Sequence, residues 1–364
     1  MRTEIRLAEL RQQLRDDEAM AVLVTAPSNL RYLTGFEGVI DDGIHGACLV
    51  TPDLARFYTD RRYADAASEA AADEGGVWEV VVEAEDLYVE ICAELHAAGV
   101  ESLLVESSMA YGRFAFISEQ FHGAVRAMDQ YVAHLRQIKE PAEIERIERA
   151  AALADAAFES LLSVLGPGLT EREVALELEF SMRRAGSQEM PFPIIVAAGP
   201  NGAHPHAIPG ERALADGDLV VIDFGARVGG YCSDMTRTVC IGGATPEQRR
   251  LYQAVLDANE AGLGAARSGA PCVEVDGAAR RVLEDAGLGE YFSHGLGHGV
   301  GLDVHELPTV GRRSKESLRA GQVVTVEPGV YVPGEGGVRI EDLVVVTESG
   351  CRLLSHAPKQ LIEI

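Results

Sequence analysis

Residues 219–239, LVVIDFGARVGGYCSDMTRTV, place two strand-forming runs on either side of a glycine turn and leave one aspartate in each run. Asp223 closes the apolar run that starts at Leu219, and Asp234 opens an alternating run through Thr236 and Thr238. Between them Arg227-Val228-Gly229-Gly230 has turn chemistry, so the spacing predicts a β-hairpin. Centred between Val228 and Gly229, that hairpin would set Asp223 directly opposite Asp234, with Cβ atoms about 4.5–5.5 Å apart. Like charges so placed destabilise a sheet. A divalent cation between them removes the penalty.

The same geometry recurs downstream. In VVTVEPGVY (323–331) and GGVRIEDLVVV (336–346), Glu327 and Glu341 flank the turn Pro333-Gly334-Glu335-Gly336-Gly337, and their midpoint is Gly334. Taken singly, each acid reads as a turn residue or a solvated strand end. Two acid pairs across two separate turns read as a site, because several carboxylates among strand formers are costly to bury without a positive charge. A histidine lies close by in sequence: His298, expected to arrive from a loop formed by the glycine-rich run GLGHGVGLDVHELP (295–308). His204, His206, His294 and His305 fall in the same part of the chain.

These segments, with FPIIVAAGPNGAHPH (192–206), resemble the pita-bread metallopeptidases: methionine aminopeptidase, aminopeptidase P and prolidase. The motifs stand in the family's order over most of the chain after about residue 140. Residue by residue, the resemblance implies that Asp223, Asp234, His298, Glu327 and Glu341 hold two divalent metal ions, with Asp234 and Glu341 bridging them. It also implies catalytic roles for His206, His305 and Glu327, the last as the acid/base that shuttles a proton. His305 and His206 would contact the substrate near the scissile bond. His294 matches a histidine of the proline-specific members, and a loop or supporting role is its equal alternative. Arg339, two residues before Glu341 and so on the same strand face, would hold either a ligand carboxylate or the substrate's carboxyl group. His204 reads as an exposed loop residue.

The chemistry of such a centre is independent of the resemblance. Two divalent ions roughly 3.5–4 Å apart activate a shared water near neutral pH and polarise a carbonyl oxygen. Oxygen ligands with one imidazole suit Mn²⁺ or Co²⁺, with Zn²⁺ and Fe²⁺ as further choices.

Composition bounds the rest. The 364 residues are ample for two domains, and the formal net charge of −25 disfavours nucleic acid as a partner. No apolar stretch approaches a membrane span, and the N-terminal MRTEIRLAELRQQLRDDEAM lacks the apolar core of a secretory signal, so a cytoplasmic location is expected. The six cysteines have no metal-site spacing and read as buried small residues of a reducing compartment. By strand alternation Cys232 shares a face with Asp234, which would make it an oxidation-sensitive neighbour of the site.

The first third alternates helix and strand: a helix at about 3–16, strands near 20–25, 47–51, 56–59, 77–82 and 102–106, and a helix at 87–98. A loop is expected at Pro27-Ser28-Asn29. The pattern is that of an α/β domain, with no G-x-G-x-x-G opening a helix for a nucleotide. NLRYLTGFEG (29–38) and FYTDRRY (57–63) resemble the creatinase-type N-terminal domain of prolidases and aminopeptidases P, which methionine aminopeptidases generally lack. The expected organisation is therefore an α/β creatinase-like domain at 1–133 followed by an α+β pita-bread metallopeptidase domain at 134–364. A long helix should start near Pro141 and end before Gly166-Pro167-Gly168, and the run Thr170-Glu171-Arg172-Glu173 should cap the next.

The resulting expectation is a dinuclear-metal exopeptidase for Xaa-Pro bonds, most simply a prolidase acting on dipeptides. Aminopeptidase P, acting on longer proline-containing peptides, is the alternative. A catalytically silent, metal-stabilised interaction protein is the remote one. The family further implies a homodimer. The loop 36–45 (FEGVIDDGIH), with Asp41 and Asp42, is the segment expected to act as a lid.

Overall fold

The computed structural model describes residues 2–40, 44–83 and 86–364, and the chain divides into two units, Met1–Arg136 and Gln137–Ile364. Residues 41–43, with Asp41 and Asp42 of the expected lid, lie outside the described residues.

The first unit is built on a six-stranded mixed sheet in the order Glu79–Val82, Ala55–Thr59, Gly46–Val50, Ala21–Val24, Ser102–Glu106, Ala124–Met128. Ala21–Val24 and Gly46–Val50 are short apolar runs buried along their whole length, which is how a strand covered on both faces reads in sequence. The outermost strands, Glu79–Val82 and Ala124–Met128, keep much of their surface exposed. Helix Leu87–Ala97 starts where the Asp86 carboxylate accepts from the Tyr88 and Val89 amides at 2.9 and 3.2 Å. Pro27-Ser28-Asn29 is not a loop. It opens the helix Pro27–Thr34, where the proline sits at a first-turn position that needs no amide donor, and Gly35 ends the helix at φ +70°.

The second unit repeats one arrangement twice: a helix pair against a sheet, mainly antiparallel in the first copy, where one short edge strand runs parallel, and antiparallel throughout in the second. Helix Pro141–Leu162 begins with a capping box between Glu140 and Glu143, and helix Glu171–Arg184 with one between Thr170 and Glu173. Their apolar faces meet a four-stranded sheet ordered Ile362–Glu363, Met235–Cys240, Leu219–Phe224, Ile195–Ala198, in a core centred on Phe158, Leu178, Ile222 and Phe224. Helices Pro246–Ala265 and Cys272–Asp285 pack in turn against five strands ordered Glu306–Val310, Gly297–Gly299, Val323–Val326, Asp342–Val346, Cys351–Leu353, around Val255, Leu283, Leu296 and Val324. Each such fully buried side chain contributes roughly 1.5–3 kcal/mol. No helix among the described residues is long and apolar enough to cross a membrane.

Arg237, only 1% exposed, ties the two sheets together. Its guanidinium donates to the carbonyls of Thr236, Glu341 and Ala357 and to the Asp342 carboxylate. Lys359 Nζ reaches the other oxygen of Asp342 at 2.8 Å, so that buried acid is paired on both sides. The Glu341 amide in turn donates to the Thr236 carbonyl at 3.1 Å. The two acid-bearing hairpins are thus joined through backbone, which sets the spacing of their side chains.

The hairpin registers differ from one another. In the first, Phe224 pairs with Met235 and Asp223 with Thr236, and beyond a break Val228 pairs with Tyr231. The turn is therefore centred on Gly229-Gly230, both at positive φ (56° and 82°), as a two-residue I′ hairpin requires. The expected centre was one residue too early, so Asp223 opposes Thr236 and not Asp234. Asp234 still lies on the same face, two residues along. In the second hairpin the register is as expected. Gly329 pairs with Arg339 near the turn, and Val326 pairs with Asp342 beyond it, which leaves Glu327 and Glu341 facing each other between two ladders.

Candidate metal centre

His298 arrives on a strand, not a loop. Gly297–Gly299 is the second strand of the five-stranded sheet, and its glycines reflect close packing of backbone. A Cβ on Gly297 would lie 2.1 Å from the Thr325 carbonyl oxygen, and one on Gly299 2.1 Å from that of Leu307. No other residue fits. The His298 amide donates to Thr325 Oγ1 at 3.1 Å, and Nδ1 lies 3.0 Å from the Gly299 carbonyl. A carbonyl accepts only, so Nδ1 carries the proton and the Nε2 lone pair is free. Nε2 points at acids: Glu327 Oε1 at 3.4 Å and Asp234 Oδ2 at 3.6 Å.

Asp234, His298 and Glu341 each offer one ligand atom, all within 4.8 Å of one another. Glu327 borders this group through His298. Asp223 lies at its edge, with Oδ2 2.7 Å from Arg339 Nη2. Arg339 is 3% exposed and held by protein groups: Nε donates to Thr236 Oγ1 at 3.0 Å and Nη1 to the Tyr331 hydroxyl at 2.8 Å. Of the two carboxyl groups it was expected to hold, the structure contains one, that of Asp223. Thr236 Oγ1, having accepted from Arg339, donates to Glu341 Oε2 at 2.7 Å.

The electrostatics show what this arrangement lacks. Burial, and then repulsion from Glu341, Asp223 and Glu327, pushes the Asp234 pKa well above the carboxylate range. Burial and Glu341 do the same to Glu327. Burial and Asp223 push Glu341 up to about 8. Burial depresses His298 to about 4, so it adds no positive charge near neutrality. Arg339, whose charge is disfavoured by burial but upheld by Tyr331, Asp223 and Glu327, is shared among all of them. Asp223 Oδ1 is buried with no hydrogen-bond partner. An orphaned carboxylate oxygen, a free imidazole lone pair and crowded acids fit divalent cations well.

The other histidines surround this group. His294 Nδ1 lies 2.8 Å from the Gly295 carbonyl, and Nε2 2.9 Å from the Tyr331 hydroxyl. The first contact puts the proton on Nδ1, so the tyrosine donates to Nε2. Burial lowers the His294 pKa to about 4 and also lowers that of His305. The His305 ring stands 4.3 Å from the His298 ring, centroid to centroid. His206 is exposed, yet near enough for a charge on it to disfavour charge on both His294 and His305. His204 is exposed as well. Cys232 is not an oxidation-prone neighbour: it is fully buried, with its thiol pushed up to about 12 by burial.

Sequence reasoning passed over Thr236, Thr325 and Tyr331. Strand alternation places Thr236 on the face of Asp234 and Thr325 on that of Glu327, and that was the available signal. Tyr331 carried none, since its partner Arg339 approaches across the hairpin.

The metallopeptidase family M24 model matches residues 145–348, and the creatinase/prolidase N-terminal domain model matches residues 6–138. The chain belongs to metallopeptidase family M24, and joins a creatinase-like α/β domain to an α+β pita-bread metallopeptidase domain. An uncharacterised peptidase of Bacillus subtilis is 40% identical, over 94% of this chain and 95% of its own. The Xaa-Pro dipeptidase from Bacillus anthracis superposes with a TM-score of 0.94 at 36% identity, covering 100% of both chains. The X-Pro aminopeptidase from Thermotoga maritima gives 0.88 at 31% identity, covering 98% of this chain and 99% of that one.

Proposed function

We propose that this protein is a dinuclear-metal exopeptidase that hydrolyses Xaa-Pro bonds, with Xaa-Pro dipeptides as preferred substrates. The observation that carries the reading is the cluster Asp234, His298 and Glu341, flanked by Asp223 and Glu327 and bordered by three further histidines. Similarity to the Bacillus anthracis dipeptidase supports the dipeptide preference.

In this reading Asp223, Asp234, His298, Glu327 and Glu341 hold two divalent ions, Mn²⁺ or Co²⁺ by the ligand chemistry. When bound, the ions would supply hydroxide from water at neutral pH and polarise the scissile carbonyl. The protein does the rest. His298 presents a fixed Nε2 lone pair, because its Nδ1 proton is committed to Gly299. Glu327 takes the proton of the attacking water on a carboxylate oxygen and returns it to the departing nitrogen. That nitrogen belongs to proline, and a proline peptide bond has no N–H, so the site recognises it by shape and by its carbonyl. His305 meets the carbonyl oxygen, and His206 stands near the scissile bond. Arg339 holds Asp223 in place.

The test compares Ala-Pro with Ala-Pro-Ala in protein loaded with Mn²⁺, Co²⁺ or Zn²⁺. Faster turnover of Ala-Pro is expected, and it should vanish in Glu327→Gln and His298→Ala. Cleavage confined to the tripeptide would replace the dipeptidase by an aminopeptidase P. Metal-loaded protein that cleaves neither would overturn the reading.

A further inference from the structure

Glu171 opens the helix Glu171–Arg184, yet it is 0% exposed and takes no part in the capping box, which belongs to Thr170 and Glu173. Its carboxylate turns instead toward the chain that carries His206. Oε1 accepts from the Ala198 amide at 2.8 Å and from Asn201 Nδ2 at 2.9 Å, and Oε2 accepts from the Gly210 amide at 3.1 Å. Ala198 is the last residue of its strand and Gly210 the exit of the loop, so one carboxylate grips both ends. The Arg172 amide adds a bond to the Gly210 carbonyl at 3.1 Å.

Within the loop, contact with the rest of the unit is on one side. A Cβ on Gly202 would lie 2.9 Å from the Gly337 nitrogen, and the Pro205 carbonyl accepts from Arg339 Nη1 at 3.4 Å. His204, His206 and Ile208 are exposed, Ile208 by 89%. Residues 204–209 are thus held by the two gripped ends, by the Arg339 bond at Pro205 and by a turn in which the Ala207 amide donates to the His204 carbonyl at 3.2 Å.

We propose that Glu171 is a positioning residue that holds the loop 198–210 closed and so sets His206 beside His294 and His305. This rests on the Xaa-Pro reading only for the step in which His206 meets substrate. The two oxygens of the Glu171 carboxylate accept from all three N–H donors. In Glu171→Gln one acceptor becomes an N–H₂ facing N–H, and a buried donor loses its partner while the shape is kept.

The test uses the full-length, metal-loaded protein and the variants Glu171→Gln, Glu171→Ala, His206→Ala and Glu171→Gln/His206→Ala. In Glu171→Gln, kcat/KM for Ala-Pro should fall about tenfold or more with bound metal unchanged, as for a group that orients a functional one. On the His206→Ala background the same change should cost less than about twofold, because the two act as a unit. A lowered Tm with kcat/KM unchanged, or losses that multiply in the double variant, would overturn the proposal. Hydrogen exchange across residues 199–210 gives a readout that needs no substrate. Faster exchange there in Glu171→Gln is expected, and unchanged exchange would also overturn it. If wild type cleaves no Xaa-Pro bond while exchange still rises, the clamp stands and the substrate reading falls. Should Glu171→Ala fail to fold, Glu171→Gln carries the measurement.

Discussion

The two acid-bearing hairpins do the same job with different registers. In the first, the two-residue turn at Gly229-Gly230 sets Thr236 opposite Asp223, so the aspartates are offset along the strands. Arg339 then reaches across from the second hairpin and grips Asp223. In the second, the turn about Gly334 keeps register on both sides, and Glu327 and Glu341 face each other where the ladder is interrupted. Offset and an arginine relieve repulsion in the first pair. The second pair has hydroxyls from Thr325 and Thr236 and two neutral histidines in place of an arginine.

Withdrawing metal should expose that difference most strongly. Chelated protein is expected to lose activity and to become less stable as pH rises from about 6.5 to about 8. The sign follows from Glu341, whose pKa rises from 4.5 to about 8 on folding. Its protonated form is favoured by the fold, so the stabilisation is complete below the unfolded value and disappears as pH climbs through the folded one. His294 and His298, lowered from 6.5 to about 4, act in the opposite sense, but that effect is complete by the unfolded value of 6.5. The interval above 6.5 thus isolates the carboxylates. Thermal unfolding at the two pH values, with and without Mn²⁺, decides it: a Tm of the chelated protein that does not fall would mean that the second pair is neutralised without metal.

A smaller effect is expected from Thr236→Val, which removes the hydroxyl joining Arg339 of one hairpin edge to Glu341. Valine keeps the branched shape and the strand. Metal affinity, or kcat/KM at limiting Mn²⁺, should drop about 10–100-fold, as for other groups that orient a ligand. Metal titration followed by calorimetry measures it. An affinity equal to wild type would show that backbone alone, through Arg237, orients Glu341.

What could be read from sequence divides along the same line. Alternation and turn spacing are one-dimensional, so the faces of Asp223 and Asp234 and the register of Glu327 with Glu341 were legible. The centre of the first turn was not, because Val228-Gly229 and Gly229-Gly230 differ by one position and only the latter gives positive φ at two glycines. Glycines around His298 suggested a loop, when their cause is the approach of Thr325 and Leu307 from neighbouring strands. Pro27 suggested a loop for a similar reason, since proline marks a helix start as well as a turn. Hydroxyls and carboxylates that act across the fold were invisible: Thr236, Tyr331 and Glu171 look like ordinary strand and cap residues. Their partners lie between 8 and 105 positions away in the chain.

The turns themselves give the finest discrimination. Gly229 has φ +56°, and an added Cβ would meet the Arg146 side chain at 3.2 Å. Gly334 has φ +82° with nothing within 4 Å. Alanine at either position pays the left-handed penalty of roughly 1–2 kcal/mol. At Gly229 the Arg146 side chain must also give way, and it sits over the Tyr231 ring with its guanidinium 5.7 Å from the ring centroid. Gly229→Ala should therefore lower Tm more than Gly334→Ala, with both variants keeping their bound metal, since each turn lies at the far end of its hairpin from the acids. Equal shifts in Tm would mean that backbone conformation alone sets the cost. Loss of metal from Gly229→Ala alone would be more informative still. It would show that the offset of Asp223 and Asp234 depends on the two-glycine turn, whereas the facing pair Glu327 and Glu341 is held in register by ladders on both sides.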